Sequence, residues 1–360
     1  MKTLAIDCRM ARMSGIGVYL RNLAPRCMEL LGDAARFRLL GYNGAFPVPK
    51  SAVWEATPCS APVYSIAEQF RLPPRLRGCD ALWLSHYPVP VFAGIPLAVT
   101  VHDVAHLALT DLFKGAQRAY ARFMFQIVRR KAAELLFVSD FSRKEFLRLV
   151  GKPRGTMHVA LNGVDHSWLE QPLEPAAAPP YLLAVGNIKP HKNIRLLCRA
   201  FAAIADNCAA NLILVGEYSG FRSAEAPTET LAAACPGRIT FAGPVDQQEL
   251  VRLMRGATAL VFPSRYEGFG LPPLEALAAG IPVVASDIPP VREVCGAHAA
   301  YFPPDNERLL AQRLLEICNL SPVERQARGA AGREHAARFT WEKAAAATTQ
   351  ALRRALRLES

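Results

Sequence analysis

Ten short apolar runs, five on either side of a proline-rich stretch, constrain this chain more than any other feature. The first five lie at residues 4–6, 37–40, 81–84, 97–101 and 135–138, and the second five at 181–185, 211–215, 239–241, 259–262 and 282–285. Helical patterns separate the runs. Strands that alternate with helices build βαβ units, and these build parallel sheets. Residues 171–180 carry four prolines and mark a boundary. The expectation is an α/β protein of two doubly wound domains facing a cleft, at 1–168 and 169–340. The Ala/Arg-rich pattern of 341–360 reads as a closing helix. Of 360 residues 51% are hydrophobic, enough to bury two cores.

Charge divides the chain as well. Residues 1–165 hold 22 Lys+Arg against 12 Asp+Glu, whereas residues 166–360 hold 20 against 19. A basic first half implies an anionic partner such as a membrane surface, a lipid phosphate or nucleic acid. No RRM, KH, zinc-finger or helix-turn-helix pattern is present, so nucleic acid is not expected. Residues 114–131 are amphipathic. Lys114, Arg118, Arg122 and Arg129 form one stripe, with Tyr120, Phe123 and Ile127 opposite. That stripe reads either as an ordinary surface helix or as a docking face for anionic lipid, each basic residue contributing about 1 kcal/mol. No window reaches the roughly 18 uninterrupted apolar residues of a membrane span. The opening Met1-Lys2-Thr3-Leu4-Ala5-Ile6-Asp7 reads as a strand and not a signal peptide, because a carboxylate interrupts it at once. The nine cysteines are scattered without a CxxC, so neither a metal cluster nor a disulfide framework is expected. A reducing cytoplasm, with peripheral contact to the inner membrane face, is the expected location.

Most of the chemistry lies in Phe262-Pro263-Ser264-Arg265-Tyr266-Glu267-Gly268-Phe269-Gly270-Leu271-Pro272-Pro273-Leu274-Glu275-Ala276-Leu277-Ala278-Ala279-Gly280. An apolar strand ends at Phe262. A helix starts near Pro272 and Pro273, where missing N–H groups cost nothing, and stops at Gly280. Gly268 and Gly270 leave backbone N–H groups uncovered at the helix N-terminus, a cradle for phosphate. Glu267 and Glu275 stand on either side of it. The competing reading is an ordinary strand–loop–helix with solvated glutamates. It leaves Glu275, set between Leu274 and Ala276, buried without a partner.

The segment resembles the E-x7-E signature of retaining glycosyltransferases of family 4. The resemblance implies that Glu267 contacts the donor sugar and Glu275 the nucleotide ribose, while the backbone of Phe269, Gly270 and Leu271 holds the diphosphate. Three further motifs occur in the family's order. Ser14-Gly15-Ile16-Gly17-Val18-Tyr19-Leu20 lacks the third glycine of a dinucleotide fingerprint. By resemblance, its Gly15 and Gly17 line the cleft near the donor phosphate. Thr100-Val101-His102-Asp103 closes an apolar strand, where open α/β sheets place ligands. The resemblance turns His102 toward the donor sugar and leaves Asp103 to fix a loop. His106 is a weaker candidate. Gly186-Asn187-Ile188-Lys189-Pro190-His191-Lys192-Asn193 supplies Lys192 for the diphosphate. Many family members carry an arginine where Asn187 stands here. Arg265 or Lys189 is the expected substitute for that charge.

The resemblance implies the GT-B fold, with two Rossmann-like domains and a last helix that crosses back to the first. It implies hexose transfer with retention: the second domain binds a nucleotide sugar and the first the acceptor. Among donors, GDP-mannose is preferred, with dTDP-rhamnose and UDP-sugars open. The acceptor is a glycan on polyprenyl diphosphate, in bacterial cell-surface polysaccharide assembly. Neither a D-x-D pair nor an HExxH motif is present, so metal-independent chemistry without a cofactor is expected, with Lys192 and backbone donors neutralising the leaving group. A nucleotide-sugar 2-epimerase, a glycan phosphorylase or a non-catalytic nucleotide-sugar-binding scaffold are the rivals.

Overall fold

The computed structural model describes residues 1–170, 179–217 and 235–358. Most of the proline-rich stretch expected as a linker therefore lies outside the described residues. The chain divides into two compact units, residues 1–163 with 340–360, and residues 164–339.

The first unit holds a parallel sheet of seven strands: β1 (Lys2–Asp7), β2 (Ala35–Leu40), β3 (Trp54–Thr57), β4 (Ala81–Leu84), β5 (Leu97–Val101), β6 (Ala132–Phe137) and β7 (Thr156–Val159). Their order is β3-β2-β1-β4-β5-β6-β7. The direction of winding reverses between β1 and β4, which opens a crevice at their carboxyl ends. The second unit repeats the plan with six parallel strands: β8 (Tyr181–Val185), β9 (Asn211–Val215), β10 (Ile239–Gly243), β11 (Ala259–Phe262), β12 (Val283–Ser286) and β13 (Ala299–Phe302). Their order, β10-β9-β8-β11-β12-β13, reverses between β8 and β11. The doubly wound expectation holds for both sheets.

Central strands read as continuous apolar runs because helices cover both sheet faces. Every residue of β4, β5, β11 and β12 is buried. Three strands escaped the sequence reading: β3, β7 and β13. All three lie at sheet edges and keep mostly open or half-open surfaces. An edge strand needs no apolar run, so it leaves no such signal.

The closing helix, Trp341–Ala355, belongs to the first unit, as expected of a helix that crosses back. Trp341 is 2% exposed. The helix packs on Ile16–Leu31, with an Arg26–Glu342 ion pair at 3.0 Å on the rim.

The basic helix runs Gly115–Lys131 and needs a correction. Its buried face is Ala121, Met124, Phe125 and Val128. Tyr120 and Ile127 are only partly buried, and Phe123 is 53% exposed. The helix turns a face other than the expected one inward, because Phe125 stacks on Tyr87 at 4.3 Å. Arg129 is tied down, donating to the Lys152 carbonyl and to Gln126. No helix among the described residues is long and apolar enough to cross a membrane.

Candidate active site

In the second unit, the loops that leave β8 and β11 meet at the reversal of the sheet. After β8 the chain makes a tight turn, Pro190–Lys192, and Asn193 takes a left-handed conformation before the helix Ile194–Ala202. The Asn193 side-chain amide donates to the carbonyls of Pro263 at 3.2 Å and Pro304 at 2.8 Å. The Arg265 N–H donates to the His191 carbonyl at 2.8 Å. These bonds clip the two loops together. They bring Lys192 to Glu267, 75 positions away, with Nζ donating to Oε1 at 2.6 Å. The same ammonium lies 5.4 Å from the centre of the Phe262 ring, a cation–π contact. Both side chains keep 15–19% of their surface open.

The signature helix runs Leu271–Ala278. Gly270 caps its start with φ of 114°, a left-handed value that disfavours any other residue. Pro272 and Pro273 occupy the first turn as expected. The Phe269 ring is buried and meets Phe339 edge-on at 6.3 Å, so only its backbone faces the loop. Leu274, Ala276 and Leu277 anchor the helix, and Glu275 keeps part of its surface open. Protein surrounds its carboxyl, and that burial, with the nearby Asp165 charge, pushes it up to about 7.

Asn187 accepts the Glu217 N–H at 3.3 Å. Arg265 pairs with Asp305 at 2.9 Å on the outer surface.

In the first unit, His102 stands just past β5. Its Nε2–H donates to the Ser85 carbonyl at 2.9 Å, and the ring packs edge-on against Tyr19 at 4.9 Å. Burial lowers its pKa, against the pull of Asp103. The ring is therefore neutral at pH 7, with Nδ1 left as an acceptor. Asp103 accepts the Ala105 N–H at 2.9 Å, a loop-fixing role. His106 packs on Phe113 and Tyr87. Gly15 starts the helix Ile16–Leu31 with a positive φ of 65°, and the space beside its Cα is open. Gly17 has a packing reason to be glycine. A Cβ there would stand 2.8 Å from the Ala11 carbonyl oxygen and 3.1 Å from that of Met10.

The sequence reading missed one cluster, at the β1/β4 reversal. Arg9 pairs with Asp7 at 2.6 Å and with Glu68 at 2.5 Å, all with side chains 4% exposed or less. His86 lies 3.9 Å from Glu68. Burial depresses His86 to about 4 and keeps it neutral. Asp7, Glu68 and His86 are close enough to share a metal ion, but the Arg9 guanidinium already bridges the two carboxylates. Asp7-Cys8-Arg9 at the end of a strand was the available signal. It needed Glu68, 59 positions away from Arg9, to acquire meaning.

Comparison with known proteins follows the same lines. A family model described as "Glycosyltransferase Family 4" matches residues 13–168, and one described as "Glycosyl transferases group 1" matches residues 169–335. The O-antigen chain mannosyltransferase RfbU of Salmonella typhimurium is 31% identical over 224 residues, 62% of this chain and 61% of that one. The chain thus spans about three-fifths of that relative's length. The O-antigen chain mannosyltransferase B of Escherichia coli is 28% identical over 265 residues, 70% of this chain and 68% of that one. Among solved structures, the sucrose-phosphate synthase of Thermosynechococcus elongatus superposes with a TM-score of 0.78 at 21% identity, covering 100% of both chains. That likeness shows the fold alone.

Proposed function

The chain belongs to the group 1, family 4 glycosyltransferases, with the GT-B fold, and we propose that it transfers a hexose from a nucleotide sugar to a cell-surface glycan with retention of configuration. One observation carries this reading: the Lys192–Glu267 pair at the carboxyl ends of β8 and β11, beside the start of the signature helix. Without ligand the two charges satisfy each other. A donor exchanges both partners at once. Its diphosphate becomes the counter-ion of Lys192 and accepts from the backbone N–H groups that follow Gly268. Glu267, released, accepts hydroxyl groups of the sugar. Glu275, one turn into the helix, accepts from the ribose.

In this reading the donor diphosphate departs against Lys192 and the helix N-terminus, whose fixed positive ends stabilise the developing charge. Glu267 is the carboxylate nearest the reacting sugar, and it is already committed to binding. A same-face displacement is therefore preferred, in which the departing phosphate oxygen takes the acceptor proton. His102 is assigned to orienting the donor sugar, on the family resemblance and on its neutral ring with an open acceptor nitrogen.

The two mannosyltransferase relatives favour mannose, and GDP-mannose as its carrier. A polyprenyl-diphosphate-linked glycan is the proposed acceptor, and the basic first unit supports contact with an anionic membrane surface.

The test is a thermal-shift screen against GDP, UDP, dTDP and ADP and their sugar conjugates, without added metal. A ligand that binds only the folded state stabilises it by mass action, about 2.7 kcal/mol at a hundredfold excess over Kd. A rise with one nucleotide family, abolished by Glu275→Ala, identifies the base. No rise with any nucleotide, with or without Mg²⁺, would overturn the donor site.

A further inference from the structure

Cys208 and Cys318 stand 110 positions apart in sequence, yet their sulfurs lie 3.0 Å apart, in hydrogen-bond contact. That is within about 1 Å of the ~2.05 Å length of a disulfide bond. Cys208 follows the turn Ala205–Asn207 beyond the helix Ile194–Ala202, and Cys318 ends the helix Glu307–Cys318. The two helices pack side by side in the core of the second unit.

The backbone at Cys208 is already held in place. The Arg238 guanidinium donates to the carbonyls of Cys208 at 2.6 Å, Ala210 at 2.7 Å and Ala205 at 3.2 Å, and to the Asn211 side chain at 2.8 Å. The hydrogen bond with Cys318 pulls the Cys208 thiol down, with the Ala210 N–H and the Arg238 charge assisting against burial, and the same hydrogen bond raises the Cys318 thiol. Burial pushes the thiols of Cys8, Cys27, Cys79 and Cys295 up instead. A thiolate is the reactive form, so among these thiols Cys208 is the favoured nucleophile. Cys318 is half-buried and so partly open to solvent.

We propose that Cys208 and Cys318 are a reversible oxidation site, forming a disulfide on exposure to a hydroperoxide. The Cys208 thiolate attacks the peroxide oxygen and becomes a sulfenic acid, and hydroxide leaves. The Cys318 sulfur then attacks the sulfenic sulfur and expels a second hydroxide. The two thiol protons convert both hydroxides to water. Two electrons pass from sulfur to oxygen, so two thiols and one hydrogen peroxide give one disulfide and two waters. The bond ties together the far ends of two helices whose near ends flank Asn193, Pro304 and the Lys192 turn. Oxidation therefore stiffens the frame under the Lys192–Glu267 pair.

The experiment treats the full chain with a small excess of hydrogen peroxide, blocks remaining thiols with N-ethylmaleimide and maps the peptides. The expected result is a Cys208–Cys318 cross-link, two fewer blocked thiols and reversal by dithiothreitol. A rise in Tm of about 5 °C should accompany it. Both the cross-link and the rise disappear in Cys208→Ser and in Cys318→Ser. The second variant changes a half-buried sulfur, so it is the one expected to fold normally, as circular dichroism checks. Both cysteines blocked after peroxide, over-oxidation of Cys208 without a cross-link, or pairing of either with another cysteine would each overturn the proposal.

Discussion

At the scale of single residues, the charges of the second unit are held in pairs, and the proposed donor site rests on one of them. Lys192 and Glu267 neutralise each other at 2.6 Å. Lys192→Ala removes the main counter-charge to a leaving diphosphate, and kcat/KM is expected to fall by roughly 10² to 10³. Steady-state kinetics measure it, and a loss below tenfold would move the phosphate contact elsewhere. Glu275 gives a pH signature. Its carboxyl titrates near 7 in the folded chain against 4.5 as the ordinary value. Between those values the folded state keeps a proton that the unfolded chain has released. The resulting stabilisation is complete below about pH 4.5 and lost above about 7. Glu275→Gln is therefore expected to match the parent near pH 5 and to exceed it at pH 8, by about 1–3 kcal/mol. Denaturant titrations at the two pH values check this, and equal differences at both would show that burial does not govern the carboxyl.

At the scale of elements, local sequence announced the buried strands and the signature helix. Buried parallel strands must be apolar throughout, so β4, β5, β11 and β12 were legible. The edge strands β3, β7 and β13 were not, and neither was the orientation of Gly115–Lys131. Phe123 and Phe125 are equally apolar, and the position of distant residues such as Tyr87 and Phe146 selects which turns inward. The closing helix shows the same dependence on partners. Its anchor Trp341 sits 2% exposed in the first unit, far in sequence from the helix Ile16–Leu31 against which that element packs. Trp341→Ala should destabilise the first unit by about 3–5 kcal/mol. Urea unfolding measures the loss, and a change below 1 kcal/mol would mean that the helix is held by its rim alone.

At the scale of the whole chain, the excess positive charge falls on residues 1–165, and several large apolar side chains of the first unit stand open. Phe123 is 53% exposed, Phe92 71%, Phe70 68% and Ile66 77%. Lys131 donates to the Val91 carbonyl, next to Phe92, while Gln69, next to Phe70, bonds the backbone of Val89 and Val91. Apolar and basic groups so mixed suit an anionic bilayer surface. Co-sedimentation with vesicles is expected to require anionic lipid, to weaken as salt rises from 50 to 500 mM (roughly a threefold shorter screening length), and to drop with Phe123→Ser. Equal binding to neutral vesicles would exclude a charge-driven contact.

Strand alternation and the spacing of Glu267 to Glu275 are properties of neighbouring residues. Backbone geometry and hydrophobic periodicity act over a few positions, so the α/β class, the doubly wound sheets and the signature loop could be read before any coordinates. The pairings between distant residues are of another kind. Lys192 meets Glu267 across 75 positions, Arg9 meets Glu68 across 59, and Cys208 meets Cys318 across 110. Such contacts depend on strand order and on which helix face turns inward, and both are set by the packing of distant segments. Burial then shifts the protonation of Glu275 and His86 through the surroundings that packing creates, a quantity no stretch of sequence carries alone.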